Sequence, residues 1–266
     1  MTNRSRPEAP AHALDHLFSL SGRTALVTGG SSGIGLALAH ALGLQGARLV
    51  LVARRAERLD DAIRELTAAG IDASRIAADL ATEPGLERVG DSVANGSRQI
   101  DVLVNAAGIN LRQPFLEVTR AAFEEHLAIH LSAPFRLTQL FAPLMARRGW
   151  GRILNLASLQ SMRAFADSAP YGTAKGGIVQ LTRAIAEAWS ARGVTCNAIA
   201  PGFFPTELTA SVFADPASAA ANAARTAIGR NGKFADLYGV AIFLASDASS
   251  YITGQTLYVD GGYTAK

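Results

Sequence analysis

The stretch "TALVTGGSSGIG", residues 24–35, decides how the chain begins to fold. Residues 24–28 are apolar or β-branched and read as a buried strand. A glycine–serine turn follows, and then a helical pattern from about Gly33 to Gln45. A strand that runs through such a turn into a helix leaves the helix's unpaired N–H groups and positive dipole end facing an anion. The strict G-x-G-x-x-G fingerprint fails, because from Gly33 its third glycine would fall at Leu38. The pattern present is Gly29-x-x-x-Gly33-x-Gly35. It keeps the physical requirement, since glycine lets a pyrophosphate approach the backbone. Gly29, Ser31, Ser32, Gly33, Ile34 and Gly35 are therefore expected to border a dinucleotide.

Outward from this unit, strand-like runs alternate with longer helical patterns. "RLVLVA" (48–53), "SRIAAD" (74–79), "DVLVNAAG" (101–108), "GRILNLAS" (151–158), "VTCNAIAPG" (194–202) and "QTLYVDGG" (255–262) bring the strands to seven. The longest helical patterns span about 119–148 and 170–192, and Gly70 reads as a helix stop. Alternation of this kind predicts βαβ units and a mostly parallel sheet covered on both faces. No composition break marks a second domain, so residues 18–266 read as one domain behind a loose N-terminal arm, 1–17. The segment 203–232, with Pro205, Pro216 and an alanine-rich helical segment, reads as an excursion over the sheet and a candidate lid.

Composition narrows the possible partners. The chain has 266 residues, 49% hydrophobic and 18% charged, with a net charge of +3. No run of Lys or Arg exceeds two residues, which argues against a nucleic-acid-binding basic patch. No apolar stretch is long enough to span a bilayer, and the N-terminus lacks the apolar core of a signal peptide. The single cysteine, Cys196, lies in an apolar run and suits a reducing compartment, so a cytoplasmic protein is expected.

The second strand ends in "VARRAER". A carboxylate there would accept from the adenosine ribose 2′-OH, whereas arginine would meet a 2′-phosphate. Arg54 and Arg55 therefore predict NADP(H) over NAD(H). Farther on, "PYGTAK" (170–175) puts Tyr171 and Lys175 one helical turn apart on one face. An ammonium beside a phenol favours the phenolate and draws its pKa toward neutrality. Ser158, ending the fifth strand, can hydrogen-bond a carbonyl oxygen that gains charge as hydride is transferred. Together these are what metal-free carbonyl/alcohol redox chemistry needs.

With "TGGSSGIG", "AADL", "NAAG", "NLAS", "YGTAK", "NAIAPG" and "GQTLYVDGG" in order, the chain resembles the short-chain dehydrogenase/reductase family from about Phe18 to Gly262. The resemblance implies a single-domain Rossmann-like, three-layer α/β/α fold with a seven-stranded parallel sheet. It implies Tyr171 as acid/base, Ser158 as carbonyl polariser, and Lys175 as partner of Tyr171 and of the nicotinamide ribose. Asp79 and Leu80 would border the adenine. Asn105, Ala107 and Gly108 would line the cofactor, and Pro201, Gly202, Phe204 and Thr206 its nicotinamide half. Members of the family are usually homodimers or homotetramers.

Two departures stand out. The family's "NNAG" is "NAAG", with Ala106 lacking the amide. The family's helix asparagine, which helps hold a water leading from the lysine to solvent, is His130 here, in "EEHLAIHLSAPF" (124–135). His126 and His130 lie at metal-ligand spacing, but no third ligand or H-E-x-x-H glutamate accompanies them, so no metal is expected. His126 reads as a solvated helix residue. His130 reads as a proton-relay candidate, because imidazole moves protons near neutral pH.

The stretches "LFSLSGR", "GINLRQPF" and "SLQSMRAF" resemble gluconate 5-dehydrogenase-like, sugar-acid members. Arg112 and Arg163 follow the fourth and fifth strands, where either could pair with a substrate carboxylate, and Gln160 could bind a hydroxyl. The expected activity is reversible oxidation of a secondary alcohol on a polyol or sugar acid. A 3-oxoacyl-[acyl-carrier-protein] reductase shares nearly all the motifs. A nucleotide-binding regulator with impaired catalysis is the reading from another class, and intact Ser158, Tyr171 and Lys175 argue against it.

Overall fold

The computed structural model describes residues 13–96 and 98–266. Seven parallel strands form one sheet: β1 (Thr24–Thr28), β2 (Arg48–Ala53), β3 (Ala73–Ala77), β4 (Val102–Asn105), β5 (Gly151–Leu156), β6 (Val194–Pro201) and β7 (Thr256–Val259). Their order is β3-β2-β1-β4-β5-β6-β7. The chain reverses direction across the sheet after β3, so a crevice opens where β1 and β4 lie side by side.

Alternate residues of each inner strand feed opposite layers. Ala25 and Val27 of β1 pack with Leu38 and Leu42 of α2 (Gly33–Leu44), Leu59 and Leu66 of α3 (Ala56–Ala68) and Leu244 of α10 (Tyr238–Ala245). Leu26 faces the other way. It packs with Val89 of α4 (Glu83–Asn95), Leu137 and Phe141 of α6 (Ala133–Arg147) and Ile185 of α7 (Ala169–Trp189). Burial on both faces explains why β1 and β6 are buried along their whole lengths.

One expectation, the continuous helix over 119–148, meets a different structure. Residues 1–12 of the expected arm lie outside the described residues, and residues 13–17 belong to a short helix, α1 (Ala13–Phe18). The segment 203–232 holds α8 (Ala210–Ala214) and α9 (Pro216–Ala224), where the alanine-rich helical pattern lies. The helix expected over 119–148 is broken. It runs as α5 (Arg120–Leu127), a wide π turn (Ala128–Ser132) and then α6. Pro134 explains the break: it has no N–H to return to the His130 carbonyl, and Ala133 N–H reaches back to Ala128 O instead. Among the described residues no helix is long and apolar enough to cross a membrane.

Candidate active site

The crevice is a cleft of about 640 Å³ running from the β2 end to the loop after β5. Its floor is knitted by Thr28, whose Oγ1 accepts N–H bonds from Ala106 (3.0 Å) and Ala107 (3.1 Å). Gly29 and Gly33 take φ of +66° and +55°. A Cβ on Gly29 would stand 2.8 Å from Ala107 Cα, and one on Gly35 would stand 2.2 Å from Gly29 O. The turn is thus closed by backbone on backbone, with no room for side chains. Ser31, Ser32 and Ile34 line the same wall. Ser32 is the N-cap of α2 but its side chain makes no cap bond, so its hydroxyl is available at the helix start. This glycine cradle, with first-turn N–H groups that no helical carbonyl can reach, fits a pyrophosphate.

At the far end Arg54, Arg55, Asp79 and Leu80 line the cleft. Asp79 is held by the Ala81 N–H at 3.1 Å. Arg55 pairs with Glu207 at 3.1 Å, and Arg58 reaches the same carboxylate at 3.4 Å. Arg54 has no acidic partner among the described residues, which leaves its guanidinium for a ligand phosphate.

At the other end stand Ser158 and Tyr171, both on the cleft wall. Ser158 Oγ accepts the Gln160 N–H at 3.1 Å, so its own proton remains to donate. Lys175 does not line the cleft. It is buried behind Tyr171, its Nζ 5.6 Å from the ring centroid and bonded to the Leu156 carbonyl. The lowering of the phenol expected from Lys175 is not realised here. Burial pushes Tyr171 above the ordinary phenol range, with the Ser158 hydroxyl pulling the other way. The same burial brings Lys175 down to about 7.

Asn105 is also off the cleft. Its Nδ2 donates to Asn155 Oδ1 at 2.8 Å inside the sheet, because alternation turns it away from the cradle, whereas Ala107 and Gly108 reach the wall. Pro201, Gly202, Phe204 and Thr206 line the cleft as expected from their place at and just beyond the end of β6.

Both histidines are buried, His126 fully, which corrects its reading as a solvated residue. Their spacing puts them on one face, with rings stacked 6.1 Å apart, and the wide turn directs that face at the loop after β4. His130 Nε2 lies 2.7 Å from Ile109 O and 3.2 Å from Ile109 N. His126 Nε2 accepts the Leu111 N–H at 3.2 Å while Nδ1 donates to Ala122 O at 2.7 Å. The His130 ring meets Tyr171 edge-on at 5.1 Å, and its Cε1 fills the space a Cβ on Gly108 would need. Burial first, then Lys175, hold His130 well below the ordinary imidazole range, so it is neutral at neutral pH. Among the described residues no group of three or more His, Cys, Asp or Glu is placed to hold a metal ion.

The mouth of the cleft is knitted loop to loop. Arg112 lines it and donates to Ala166 O at 3.2 Å, and the Gln113 N–H donates to Asp167 O at 2.9 Å. Gln160 lines it as well. Arg163 does not. It turns outward to Lys266 O at 2.9 Å and lies 5.8 Å from the Tyr263 ring centroid. Several wall residues escaped sequence reading, among them Phe165, Phe203, Asn222 and Arg225. The excursion carries no motif, and only the fold shows which face of α9 turns inward.

A parallel sheet with a phosphate cradle at its switch point and a Ser–Tyr–Lys group beyond it defines a nucleotide-dependent oxidoreductase. A family model described as "Enoyl-(Acyl carrier protein) reductase" matches residues 29–264. The gluconate 5-dehydrogenase of Gluconobacter oxydans (strain 621H) is 42% identical over 251 residues, 93% of this chain and 97% of that protein. The galactitol 2-dehydrogenase (L-tagatose-forming) of Cereibacter sphaeroides is 40% identical over 93% of this chain and 97% of that protein. A crystal structure of a gluconate 5-dehydrogenase from Burkholderia cenocepacia J2315, in complex with NADP and tartrate, matches with a TM-score of 0.90 and 37% identity, covering 95% of this chain and 99% of that one. The chain belongs to the short-chain dehydrogenase/reductase family.

Proposed function

We propose that the protein interconverts a secondary alcohol and a ketone on a polyol or sugar acid, using NADP(H). The observation that carries this reading is the meeting of Ser158 and Tyr171 on the wall of a cleft that ends in Arg54. The sugar-acid and polyol relatives support the choice of substrate. When bound, the nicotinamide supplies or accepts the hydride. Tyr171, protonated at neutral pH, gives its proton to the ketone oxygen in the reductive direction and takes it back in the oxidative one. Ser158 donates a hydrogen bond to the same oxygen as its charge grows. Lys175, held against the Leu156 carbonyl, stands behind the phenol and supports the charge that develops there as the proton leaves. Turnover of a panel of keto acids, ketoses and acyl thioesters with NADPH tests the reading. Preferred reduction of an acyl thioester would overturn it in favour of a 3-oxoacyl reductase, and no turnover with tight NADP(H) binding in favour of a regulator.

Arg54 selects the phosphorylated nucleotide in this reading. Arg54→Asp should weaken NADP(H) binding about ten- to hundred-fold, the worth of one charge-assisted hydrogen bond, about 1.5–3 kcal/mol. A preference of the unmodified protein for NAD(H) in parallel titrations would sink the assignment.

His130 acts in this scheme as a positioning residue. Nε2 of the buried imidazole is engaged at Ile109 and Nδ1 has no hydrogen-bond partner among the described residues, so the ring links no proton donor to an acceptor, and it is well placed to fix the loop that bears Arg112. His130→Asn should therefore leave the pH–rate profile where it is, while His130→Ala should raise KM severalfold. A shifted profile in His130→Asn would restore the relay role.

The remaining assignments are cytoplasmic location and assembly as a homodimer or homotetramer. The lone, buried Cys196 supports the first, and the open outer edge of β7 supports the second. Sedimentation at several protein concentrations reads the assembly directly.

A further inference from the structure

Arg225 stands at the end of α9, far in sequence from every motif of the family. It lines the cleft together with Asn222, three residues earlier and hence on the same helix face. Its guanidinium lies 4.8 Å from the centroid of the Tyr263 ring. That ring packs with Phe165 and Phe203, at centroid distances of 6.4 and 5.9 Å, and both phenylalanines line the cleft. Phe165 belongs to the loop that follows Ser158, and Phe203 follows the β6 end. Arg225 therefore sits at the end of the cleft where the chemistry occurs, opposite the end marked by Arg54.

Its mounting is stiff. Ala227 N–H and Ile228 N–H both donate to Gly261 O, at 2.8 and 3.1 Å. Lys266 Nζ donates to Ala224 O and Thr226 O, each at 3.2 Å. The end of the excursion is thus tied to the segment after β7 on both sides of Arg225. Arg163, on the same aromatic ring, has spent a donor on Lys266 O, and Arg112 has spent one on Ala166 O. Arg225 makes no side-chain hydrogen bond or ion pair among the described residues. A cation stacked on an aromatic face is oriented in its plane while its N–H donors stay available.

We propose that Arg225 is a carboxylate-binding subsite, taking the acid end of a sugar acid while the carbonyl or carbinol carbon lies at Ser158 and Tyr171. The inference rests on the sugar-acid reading above and assigns the acid group its partner. It takes the role that sequence order offered to Arg112 or Arg163, and it gives the excursion a part in substrate selection.

The test compares gluconate with the neutral polyol galactitol, in steady-state oxidation with NADP. Arg225→Leu should raise the KM for gluconate at least about tenfold more than the KM for galactitol, the loss expected for one charge-assisted pair. Arg225→Lys should recover part of the difference, since an ammonium keeps the charge and loses the fork. Equal changes for the two substrates, or no change for either, would overturn the subsite. If the unmodified enzyme oxidises neither, the polyol and sugar-acid reading fails by itself. The subsite is then judged by calorimetry with tartrate on the NADP-loaded protein. Tartrate binding that Arg225→Leu weakens about tenfold supports it, and binding that is absent or indifferent to the change removes it.

Discussion

Tyr171→Phe lowers kcat for ketone reduction by about 10²- to 10⁴-fold, the range over which a positioned general acid acts. The change deletes one oxygen and keeps the ring against which His130 packs, so the fold and the cleft walls stay as they are. NADPH should therefore raise the melting temperature of the variant as it does that of the unmodified protein. The pH dependence has a definite sign. Burial raises the phenol's pKa, so the proton needed for reduction is present throughout the neutral range and is lost only on the alkaline side. Oxidation needs the phenolate, and its rate should climb with pH. Lys175, down to about 7, loses its charge as pH rises through neutrality, so reduction should sag there as that support fades, before the phenol's own proton is lost on the alkaline side. Both limbs should vanish from the residual rate of Tyr171→Phe. A variant that retains a tenth of the activity would show that another group delivers the proton.

Gly29→Ala disables the nucleotide end as thoroughly as Tyr171→Phe disables the other. A methyl group there meets Ala107 Cα at 2.8 Å and Ala106 O at 2.9 Å, and neither is a side chain that can swing away. Relief requires β1 and β4 to part where Thr28 holds their ends together. Overpacking and the positive φ together cost about 2–4 kcal/mol, divided between stability and affinity for NADP(H). Gly70→Ala is the matching control. It too has a positive φ, +76°, but open space around it. It should lower the melting temperature and leave nucleotide affinity intact. Were Gly29→Ala to bind NADPH as tightly as the parent, the glycine turn would not be the phosphate cradle.

The sheet was legible because its signals are local. Strands buried on both faces read as short apolar runs, and β1 and β2 begin and end where those runs do. Strand ends beyond the sheet were less so. The apolar run at 101–108 extends past the strand at Asn105, because apolar residues lining a cleft look like apolar residues in a sheet. The Ser158–Tyr171–Lys175 group was legible from spacing and chemistry, but its electrostatics were not. Burial, a property of the whole molecule, outweighs the pairwise effect of Lys175 on Tyr171. The burial of His126 was hidden for a similar reason. Its backbone partner at Leu111 comes from a loop that the linear pattern cannot place beside it. Pro134 was a visible signal of the helix break, since a residue without an N–H four places after His130 must leave that carbonyl unanswered. Arg225 had no signal at all in the sequence.

The wide turn at Ala128–Ser132 has a consequence for insertions and deletions. It accommodates one residue more than a regular helix of that span would hold. Removing a single residue there would take up that surplus and leave α5 and α6 at the angles they now hold, with Pro134 still interrupting the ladder of hydrogen bonds. His126, in α5, would keep its place against the loop after β4. The residues inside the turn, His130 among them, would be re-aimed. A one-residue deletion here would thus be quiet in the core, whereas in a regular helix it would turn one half by about 100° against the other.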